Sequence, residues 1–288
     1  MAAIARLAPA KVNLFLHVGP LEADGYHPLA SLVAFADVGD RLTVEPEDRL
    51  SLAVTGPFAG ALDAGDDNLV LRAARALGAA AGIGEPGLRI TLDKQLPVAA
   101  GLGGGSSDAG AMLKLARDAL GLPFDDAALA EIAAGLGADG PMCLHARAAW
   151  AEGRGDVLTF ETDLPPLPAL LVNPGVPSST GAVYSAFDAG SSGQADRPAP
   201  PSVRDAASVM DWLTNQRNDL QAPALTLAPA IGKAMAAISA LPGARLTRMS
   251  GSGATVFALF DTAEAAEAAG RALATLHPDW WVRPTVLR

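Results

Sequence analysis

A glycine-rich segment ahead of a predicted helix is the part of the sequence best suited to chemistry. Residues 96–108 read LPVAAGLGGGSSD and contain four glycines and two serines: Gly101, Gly103, Gly104, Gly105, Ser106 and Ser107. Clustered glycines let the backbone approach a ligand closely or adopt positive φ angles. The first N–H groups of a helix lack intrahelical partners and carry the positive end of the helix dipole, so they attract anions. The segment therefore predicts a phosphate site, with the serine hydroxyls as further donors.

The loop differs from two common phosphate-binding motifs. The chain has no G-x-x-x-x-G-K-[ST] sequence, and residues 101–106 end in serine where G-x-G-x-x-G requires glycine. The dinucleotide fold also needs a strand after the helix with an acidic residue near its end, whereas residues 125–126 begin a second predicted helix. These differences argue against a nicotinamide-dependent oxidoreductase. An ordinary glycine–serine turn with a helix cap is the alternative that requires no ligand.

A lysine at the start of an apolar strand is the first candidate for charge stabilisation. Residues 10–18 alternate, so Lys11, Asn13, Phe15 and His17 share one face of the predicted strand. Lys11 and Asn13 then lie about 7 Å apart along the strand. A lysine in this position is by itself typical of a solvated strand edge. Combined with a phosphate loop, Lys11 becomes a candidate for offsetting the charge of a reacting phosphate.

Asp139 is the candidate for acid–base chemistry. It lies in the turn GADGP, residues 137–141, between a predicted helix and the apolar run Met142–Leu144. An Asp-Gly-Pro turn needs no function to explain it. A carboxylate near a phosphate site is nevertheless what a kinase uses to orient and deprotonate an acceptor hydroxyl.

Two tyrosines and a histidine are candidates for binding a planar ligand. Tyr26 and Tyr184 are the only tyrosines in the chain, both lie beside turns, and His27 follows Tyr26. Aromatic faces at such positions can stack on a base, and packing is the alternative role. His17 and His145 lie in apolar strand-like runs and are predicted to be structural, because their spacing is not that of a metal site.

The composition narrows the class of protein that must position these residues. Of 288 residues, 50% are hydrophobic and 18% charged, which excludes a disordered chain, and the net charge of −10 argues against a nucleic-acid partner. The long uncharged run at residues 164–187 contains five prolines and is not a membrane span. The N-terminus lacks a secretory pattern, so we expect a cytoplasmic protein. The single cysteine, Cys143, excludes an intramolecular disulfide and is predicted to lie in the core.

The predicted secondary structure favours an α+β fold in two domains. Strands are predicted at 12–18, 29–36, 41–44, 50–54, 88–92, 169–172, 244–249 and 254–260, with a short one at the end of the chain. Helices are predicted at 68–81, 106–120, 125–136, 202–213, 219–225, 229–240 and 262–276. The proline-rich connection at 163–168 suggests domains 1–163 and 164–288, and residues 190–202 are predicted to form a mobile surface loop.

Three segments together resemble the three motifs of the GHMP small-molecule kinases, which include galactokinase, homoserine kinase and mevalonate kinase. They are residues 8–16 (APAKVNLFL), 96–107 (LPVAAGLGGGSS) and 249–257 (MSGSGATVF), and the resemblance covers the whole chain. It implies a two-domain α+β fold with the active site in the cleft between the domains. The first domain would bind ATP and the second would contribute to the substrate side.

Within this family the chain most resembles members that phosphorylate the 2-hydroxyl of a diphosphocytidyl sugar alcohol in non-mevalonate isoprenoid biosynthesis. The segments responsible are 23–27 (ADGYH), 101–107 (GLGGGSS), 137–139 (GAD) and 151–155 (AEGRG). This resemblance implies ATP as the phosphate donor. Mg²⁺ is expected with it, because a negatively charged protein that holds a triphosphate needs the charge of the metal. No protein ligand of Mg²⁺ is assigned beyond Ser107 as a candidate.

The resemblance also implies roles for individual residues. Asp139 would be the general base, and Lys11 would polarise the acceptor hydroxyl and offset developing charge. The residues implied to contact ATP are Pro97, Gly101, Gly103, Gly104, Gly105, Ser106 and Ser107 at the phosphates, and Asn68 and Lys94 at the adenosine. Those implied to contact the acceptor are Tyr26, His27 and Tyr184 at the cytosine, and Asn13 and Thr180 at the sugar alcohol or its diphosphate. Residues 250–254 would brace the phosphate loop.

Two local departures from the family pattern accompany this resemblance. Asp139 is followed by Gly140-Pro141 where an apolar residue and proline were expected, and Ala99-Ala100 replace a pair of glycines. Two alternative functions stay open. Another GHMP kinase, of the homoserine or mevalonate type, would not need the two tyrosines and the histidine. A non-catalytic nucleotide sensor would not need to retain both Lys11 and Asp139.

Overall fold

The computed structural model describes residues 3–62, 64–190 and 193–288. Its strands are β1 (Ile4–Val18), β2 (Leu29–Pro46), β3 (Ser51–Thr55), β4 (Leu88–Asp93), β5 (Ala149–Gly153), β6 (Val157–Phe160), β7 (Leu167–Asn173), β8 (Leu246–Met249), β9 (Val256–Leu259) and β10 (Trp281–Leu287). Its helices are α1 (Leu69–Ala80), α2 (Gly104–Leu120), α3 (Asp126–Ala134), α4 (Gly140–His145), α5 (Thr180–Asp188), α6 (Ala206–Thr214), α7 (Gln221–Leu227), α8 (Pro229–Ser239) and α9 (Ala263–Leu276). Over the described ranges no single helix has the length and hydropathy of a membrane span, although α7 and α8 reach them as a pair bent by 117°.

The described residues form two compact units that interleave along the chain. Unit 1 takes its residues from 1–10, 38–98 and 103–146, and unit 2 from 11–37, 99–102 and 147–288. These limits differ from the predicted division between residues 163 and 164. The reason is that β1 and β2, of 15 and 18 residues, each contribute one part to unit 1 and the other to unit 2.

The length of β2 corrects the prediction of two shorter strands, 29–36 and 41–44. The intervening residues include Asp37, Gly39 and Asp40, which are typical of a turn. In the structure Gly39 serves close backbone approach instead, because a Cβ there would lie 2.1 Å from the carbonyl oxygen of Ala8. Asp40 is fully buried and accepts hydrogen bonds from the backbone N–H groups of Gln95 and Leu96.

Over its described residues, unit 1 packs the α-helices α1 to α4 with a small mixed sheet. The second part of β2 pairs antiparallel with β4, with Arg41 opposite Asp93, and β3 pairs parallel with β4. The face of α2 predicted from its apolar period is buried, including Met112 and Leu113. This helix ends where the sequence predicts, at Gly121 with a φ of 63°. The core of the unit joins α1, α2 and α3 to the apolar residues of β2 and β4.

Unit 2 contains an antiparallel sheet in the order β10–β7–β9–β8. Trp281 of β10 lies opposite Asn173 of β7, and Val172 of β7 lies opposite Val256 of β9. The hairpin of β5 and β6 pairs with the first part of β2, with Leu29 opposite Gly153. Together with the helices, these antiparallel strands confirm the predicted α+β class.

Besides β2, four elements were absent from the sequence-based expectation or wrong in it: α4, α5, β5 and β6. The run Met142–Leu144 with His145 reads as strand-like but forms the short helix α4, which begins at Gly140 with a proline in its first turn. Helix α5 was expected to be turn and loop, because Ser179 was not recognised as its N-cap; its side chain accepts from the N–H of Ala182. The hairpin of β5 and β6 was not predicted, because its strands are short and the glycines of the turn between them are typical of a loop.

The segment predicted as a mobile loop, 190–202, includes residues 191 and 192, which lie outside the described residues. From Gly193 onward it has no regular secondary structure, as predicted, but it is anchored to unit 2. The backbone oxygen of Asp196 is 2.8 Å from His17 Nδ1, and that of Ala199 accepts from Trp212 Nε1 at 2.9 Å. Burial lowers the pKa of His17, and the hydrogen bond to Asp196 opposes this effect.

Candidate active site

The glycine-rich loop adopts a backbone suited to an anion. Ala99, Gly101 and Gly103 have φ angles of 51°, 73° and 62°, so left-handed residues recur at every second position. Such alternation can turn successive N–H groups toward one concave surface, which favours phosphate. Gly103 is the N-cap of α2, and no side chain caps this helix start. The loop therefore leads into an open helix N-terminus, as the sequence predicted.

Ser107, near the start of α2, has a buried hydroxyl with no hydrogen-bond partner among the residues that the structure describes. Its backbone N–H donates to Gly103 O at 2.9 Å, but no hydrogen bond satisfies its Oγ, and only 1% of the residue is exposed. A buried hydroxyl is normally hydrogen-bonded. An unsatisfied one at the start of a helix fits a phosphate oxygen or a hydrated cation as its partner.

The first part of the loop is braced within unit 2 by the segment predicted to do so. Ser250 Oγ donates to the carbonyl oxygen of Gly101 at 2.9 Å, and the N–H of Thr255 donates to Ala100 O at 3.1 Å. The N–H of Lys11 donates to Leu102 O at 2.8 Å. These bonds hold the carbonyl side of the loop. Residues 99–102 belong to the same unit as residues 250–254, whereas the bracing was expected from the other domain.

Substituting Gly101 by alanine tests how tightly the loop is held. A Cβ at this position would lie 2.3 Å from the carbonyl oxygen of Ser250, and the φ of 73° disfavours alanine independently. We expect Gly101→Ala to raise the KM for ATP roughly 10- to 100-fold, because small displacements of a positioning element are costly. Gly82→Ala is the matched control, since its φ is 68° and nothing lies within 4 Å of an added Cβ. Equal KM values for ATP in the two variants would contradict the proposed fit.

Strand β1 carries Lys11 and Asn13 on one face, as the alternation predicts. Both residues are buried, and Phe15 and His17 follow on the same face with ring centroids 4.7 Å apart. The N–H of Asn13 donates to Ser250 Oγ at 3.1 Å. Its Nδ2 donates to Ser31 Oγ at 2.8 Å, while its buried Oδ1 has no hydrogen-bond partner in the described part of the chain. This amide oxygen is therefore a second buried group that a ligand hydroxyl would satisfy.

A buried arginine supports this part of β1. Arg248 donates to the backbone oxygen of Leu14 at 2.7 Å and to those of Leu213 and Gln216 at 2.8 and 2.7 Å. Burial lowers the pKa of Arg248 to about 10, so it stays charged at neutral pH. The guanidinium thus fixes the backbone next to Asn13 through neutral acceptors.

Asp139 lies half-buried at the N-cap position of α4 in unit 1, rather than in an open turn. Its side chain does not cap the helix. Gly140, an unexpected residue after the aspartate, fits closely packed backbone, because a Cβ there would lie 2.1 Å from Ala133 O. The glycine that departs from the family pattern is therefore required by the close packing of α4 against the end of α3.

The residues expected at the cytosine lie in unit 2, and two of them are in contact. The rings of His27 and Tyr184 are 5.1 Å apart and tilted by 33°. His27 Nδ1 lies 2.9 Å from Gly19 O, and its Nε2 lies 3.3 Å from a carboxylate oxygen of Asp188. Tyr184 is part of α5 and does not border a turn, whereas Tyr26 follows a turn and is 54% exposed.

Thr180, expected near the sugar alcohol, begins α5 in the same unit. Its Oγ1 lies 2.9 Å from Ser252 Oγ. Ser178 Oγ donates to the backbone oxygen of Ser252 at 2.6 Å. The segment that braces the glycine-rich loop therefore also contacts the start of the helix that carries Tyr184.

Asn68 and Lys94, expected near the adenosine, both lie in unit 1 and have structural partners. Asn68 is the N-cap of α1 and accepts from the N–H of Val70 at 2.9 Å. The Lys94 ammonium lies 2.5 Å from Asp40 and 2.7 Å from Asp108, and all three side chains are almost fully buried. Because this charge is already paired with two carboxylates, the structure assigns Lys94 a structural role instead of the implied contact with adenosine.

The acid–base state of this cluster follows from burial and proximity. Burial raises the pKa of Asp108 to about 7, with the Asp40 carboxylate adding to the shift and Lys94 opposing it. Desolvation alone would lower the pKa of Lys94, but the two carboxylates outweigh it and raise that pKa. Neither Asp40 nor the pairing of Asp108 with Lys94 was predicted from the sequence. The available signal was the spacing of residues 108, 112 and 115, which places the acid on the buried face of α2.

The helix that follows the loop begins at Gly104, two residues before the predicted start at Ser106, so the last two glycines of the loop belong to α2. Pro97 is in the irregular segment before the loop, Gly104 and Gly105 begin α2, and Ser106 follows them. Among the residues that the structure describes, no group of three or more His, Cys, Asp or Glu side chains forms a metal cluster. Cys143 is buried, as predicted.

Comparison with known proteins is consistent with this geometry. The sequence pattern described as "GHMP kinases N terminal domain" matches residues 68–147, and that described as "GHMP kinases C terminal" matches residues 200–279. Two bacterial relatives are named 4-diphosphocytidyl-2-C-methyl-D-erythritol kinase. The one from Caulobacter vibrioides (strain NA1000 / CB15N) is 52% identical over 97% of this chain and 98% of its own. That from Methylobacterium radiotolerans is 52% identical over 100% of both chains.

A solved structure is similar over almost the same length. It is the crystal structure of a 4-(cytidine 5'-diphospho)-2C-methyl-D-erythritol kinase, with a TM-score of 0.77 and 35% sequence identity. The similarity covers 99% of this chain and 99% of that one.

Proposed function

This chain belongs to the GHMP kinase family, and from that premise we infer that it phosphorylates 4-diphosphocytidyl-2-C-methyl-D-erythritol. The reaction transfers the γ-phosphoryl group of ATP to the 2-hydroxyl of this acceptor and yields the 2-phosphate and ADP, a step in non-mevalonate isoprenoid precursor biosynthesis. The observation that carries the inference is the 52% identity, over nearly the full length, to relatives named for this kinase.

The ATP side of the proposal rests on unit 1 and the loop that leads into it. The left-handed backbone at Ala99, Gly101 and Gly103 and the uncapped start of α2 suit the phosphates. We propose that Gly104, Gly105 and Ser106 donate backbone N–H groups to them. The hydroxyl of Ser107 supplies a polar partner that its surroundings within the protein do not satisfy.

Mg²⁺ is part of the proposal, because the residues present fit a metal that arrives with ATP. Oxygen is the ligand that Mg²⁺ prefers, and it usually keeps several waters and phosphate oxygens. Ser107 Oγ is a buried oxygen without a partner and is the group that we propose faces the metal or its water. When bound, the metal offsets the charge on the phosphates.

The acceptor side of the proposal rests on unit 2. We propose that Tyr26 and Tyr184 stack on the cytosine and that His27 completes this pocket. The contact of His27 with Tyr184 supports a shared aromatic surface. Asn13 and Thr180 would then bind the sugar alcohol or its diphosphate, and the unsatisfied Oδ1 of Asn13 favours a hydroxyl donor as its partner.

Two residues are proposed to act on the reacting atoms. Asp139 accepts the proton of the 2-hydroxyl as that oxygen attacks the γ-phosphorus. Lys11 lies next to the acceptor oxygen and offsets the negative charge that develops during transfer. Phosphoryl transfer needs little covalent chemistry from the protein, so positioning and charge stabilisation carry most of the rate enhancement.

The proposal also covers the cell compartment of the reaction and the classes of partner that the protein binds. We place the reaction in the cytoplasm, where ATP is abundant. We propose no nucleic-acid partner, because the net charge of −10 opposes a polyanion. No membrane partner is part of the proposal, since both reactants are small soluble molecules.

The test is an acceptor panel with the purified chain, ATP and Mg²⁺. We expect ADP release with 4-diphosphocytidyl-2-C-methyl-D-erythritol and background release with mevalonate, homoserine or no acceptor. Turnover with mevalonate or homoserine instead would retain the phosphate loop, Lys11 and Asp139 but contradict the cytosine pocket. ATP binding without turnover on any acceptor would favour a nucleotide sensor and overturn the kinase proposal.

A further inference from the structure

The turn of the β5–β6 hairpin places an arginine on the aromatic ring of Tyr26. Arg154 lies in this turn, residues 153–156, and its Cζ is 4.1 Å from the centroid of the Tyr26 ring. The turn is itself fixed, because the N–H of Arg154 donates to Asp156 Oδ1 at 2.9 Å and that of Gly155 to Glu152 O at 3.0 Å. A guanidinium at this distance attracts the electron-rich face of the ring.

A single carboxylate connects the arginine to the backbone of the tyrosine. Asp24 Oδ1 accepts from the N–H of Tyr26 at 3.0 Å, and its Oδ2 pairs with the guanidinium of Arg154. The N–H of Glu22 also donates to Tyr26 O at 2.8 Å, which closes the turn. Asp24, Tyr26 and Arg154 therefore form a three-residue clamp that fixes both the backbone and the ring of Tyr26.

The clamp leaves a binding surface on the tyrosine. Tyr26 is 54% exposed although the guanidinium of Arg154 lies over its ring, so more than half of the residue stays open to a ligand. An exposed tyrosine side chain normally samples several rotamers, and ordering it on ligand binding costs free energy. A ring held in place beforehand avoids much of this cost.

We propose that Arg154 is a positioning residue for recognition of the pyrimidine nucleoside diphosphate part of the acceptor. It holds Tyr26 in the orientation that stacks on the base, and it acts through Tyr26 rather than by touching the base. This inference rests on the proposed function and assigns a role to the AEGRG segment, residues 151–155, which the proposed mechanism does not use.

The first test is the kinetics of Arg154→Met, which keeps the length of the side chain but removes its charge and planar group. We expect the KM for the acceptor to rise roughly fivefold to tenfold, as loss of a partly exposed cation–π contact and its ion pair predicts. The kcat and the KM for ATP stay within about twofold, because the phosphate loop is untouched. Arg154→Lys retains the charge without the planar fork, so its KM for the acceptor should lie between those of the wild type and Arg154→Met. An unchanged acceptor KM in Arg154→Met overturns the proposal.

Arg197→Met is the matched control, because a second arginine, from the irregular segment after Gly193, packs on the same hairpin in a similar arrangement. Arg197 Cζ lies 4.4 Å from the ring centroid of Trp150, and its guanidinium donates to Glu152 at 2.9 Å. Removing the Arg197 guanidinium tests whether any loss of stacking and ion pairing at this hairpin raises the KM for the acceptor. We expect its acceptor KM to match that of the wild type. An equal rise in both variants would mean a structural effect and would overturn the proposal.

A double-mutant cycle separates positioning from direct contact. Binding of cytidine diphosphate, measured by calorimetry, should weaken in Arg154→Met and more strongly in Tyr26→Leu, and the double variant should bind like Tyr26→Leu, because Arg154 acts through Tyr26. Further weakening on adding Arg154→Met to Tyr26→Leu would show that the arginine contacts the ligand, and would overturn the positioning role. Since this assay needs no turnover, it remains informative if the acceptor panel overturns the proposed reaction. Circular dichroism of each variant checks that it is folded.

Discussion

Asp139→Asn is expected to lower kcat by about 10²- to 10⁴-fold, the usual contribution of a positioned general base. Asparagine retains the size and shape of the side chain but cannot accept the proton of the 2-hydroxyl. The KM values for ATP and for the acceptor should change by less than about threefold, because the proposed function of Asp139 is exerted only as the hydroxyl attacks. Steady-state kinetics with the coupled ADP assay measures all three constants.

The control for this variant is another aspartate at a helix start in the same unit. Asp125 is the N-cap of α3, and its side chain accepts from the N–H of Ala128 at 2.8 Å. Asparagine caps a helix as well as aspartate does, so Asp125→Asn should retain the wild-type kcat and stability. If Asp139→Asn kept more than about a tenth of the wild-type kcat, the general-base role would be wrong. Positioning and charge stabilisation by the loop and Lys11 would then account for the rate.

Features determined by neighbours in sequence were predictable. Glycines followed by serines before an apolar helical period announce an open helix start, and the structure has one at Gly103 and Gly104. Alternation along β1 placed Lys11 and Asn13 on one face, because the side-chain period of a strand is local geometry. Helix stops such as Gly121 are local for the same reason.

Features that depend on distant residues were not predictable in the same way. Asp37, Gly39 and Asp40 favour a turn by composition, yet β2 runs through them because Gly39 packs against Ala8 and Asp40 pairs with Lys94. The latter partners are 54 residues apart. Local propensity competes with tertiary packing in such segments, and packing prevails.

The same distinction applies within the candidate site. Family motifs indicated the tyrosines, the histidine and the phosphate loop, but not which residues hold them. Arg154 and Tyr26 are far apart in sequence. Nothing in either segment specifies that the ring of Tyr26 lies under the guanidinium of Arg154. Residues that support a site through such contacts therefore emerge only from the folded structure.

Lys94→Met is expected to lower the free energy of unfolding by about 3–5 kcal/mol, the usual effect of removing one partner of a buried ion pair. The substitution leaves Asp40 and Asp108 facing each other without the cation, with side-chain exposures of 0% and 2%. A loss of this size is a large fraction of the stability of a typical domain. Urea denaturation followed by circular dichroism measures it. Lys114→Met is the control, because Lys114 pairs with the half-exposed Asp126 at 3.2 Å and should contribute at most about 1 kcal/mol.

Two further measurements identify the unpaired carboxylates as the cause of the loss. Asp108 has a raised pKa, about 7, in the folded protein and an ordinary one in the unfolded chain, so the folded state binds the proton more tightly. The stabilisation of the folded state by protonated Asp108 is therefore complete below pH 4 and is lost as the pH rises through 7. Lys94 opposes that shift, and Lys94→Met removes this opposition. The free energy of unfolding of Lys94→Met should therefore rise as the pH falls from 8 to 6.

Adding Asp108→Asn to Lys94→Met removes one buried charge and should restore part of the stability at pH 8. If neither change recovered any stability, the loss would stem from packing around residue 94, and the electrostatic account of this cluster would be wrong.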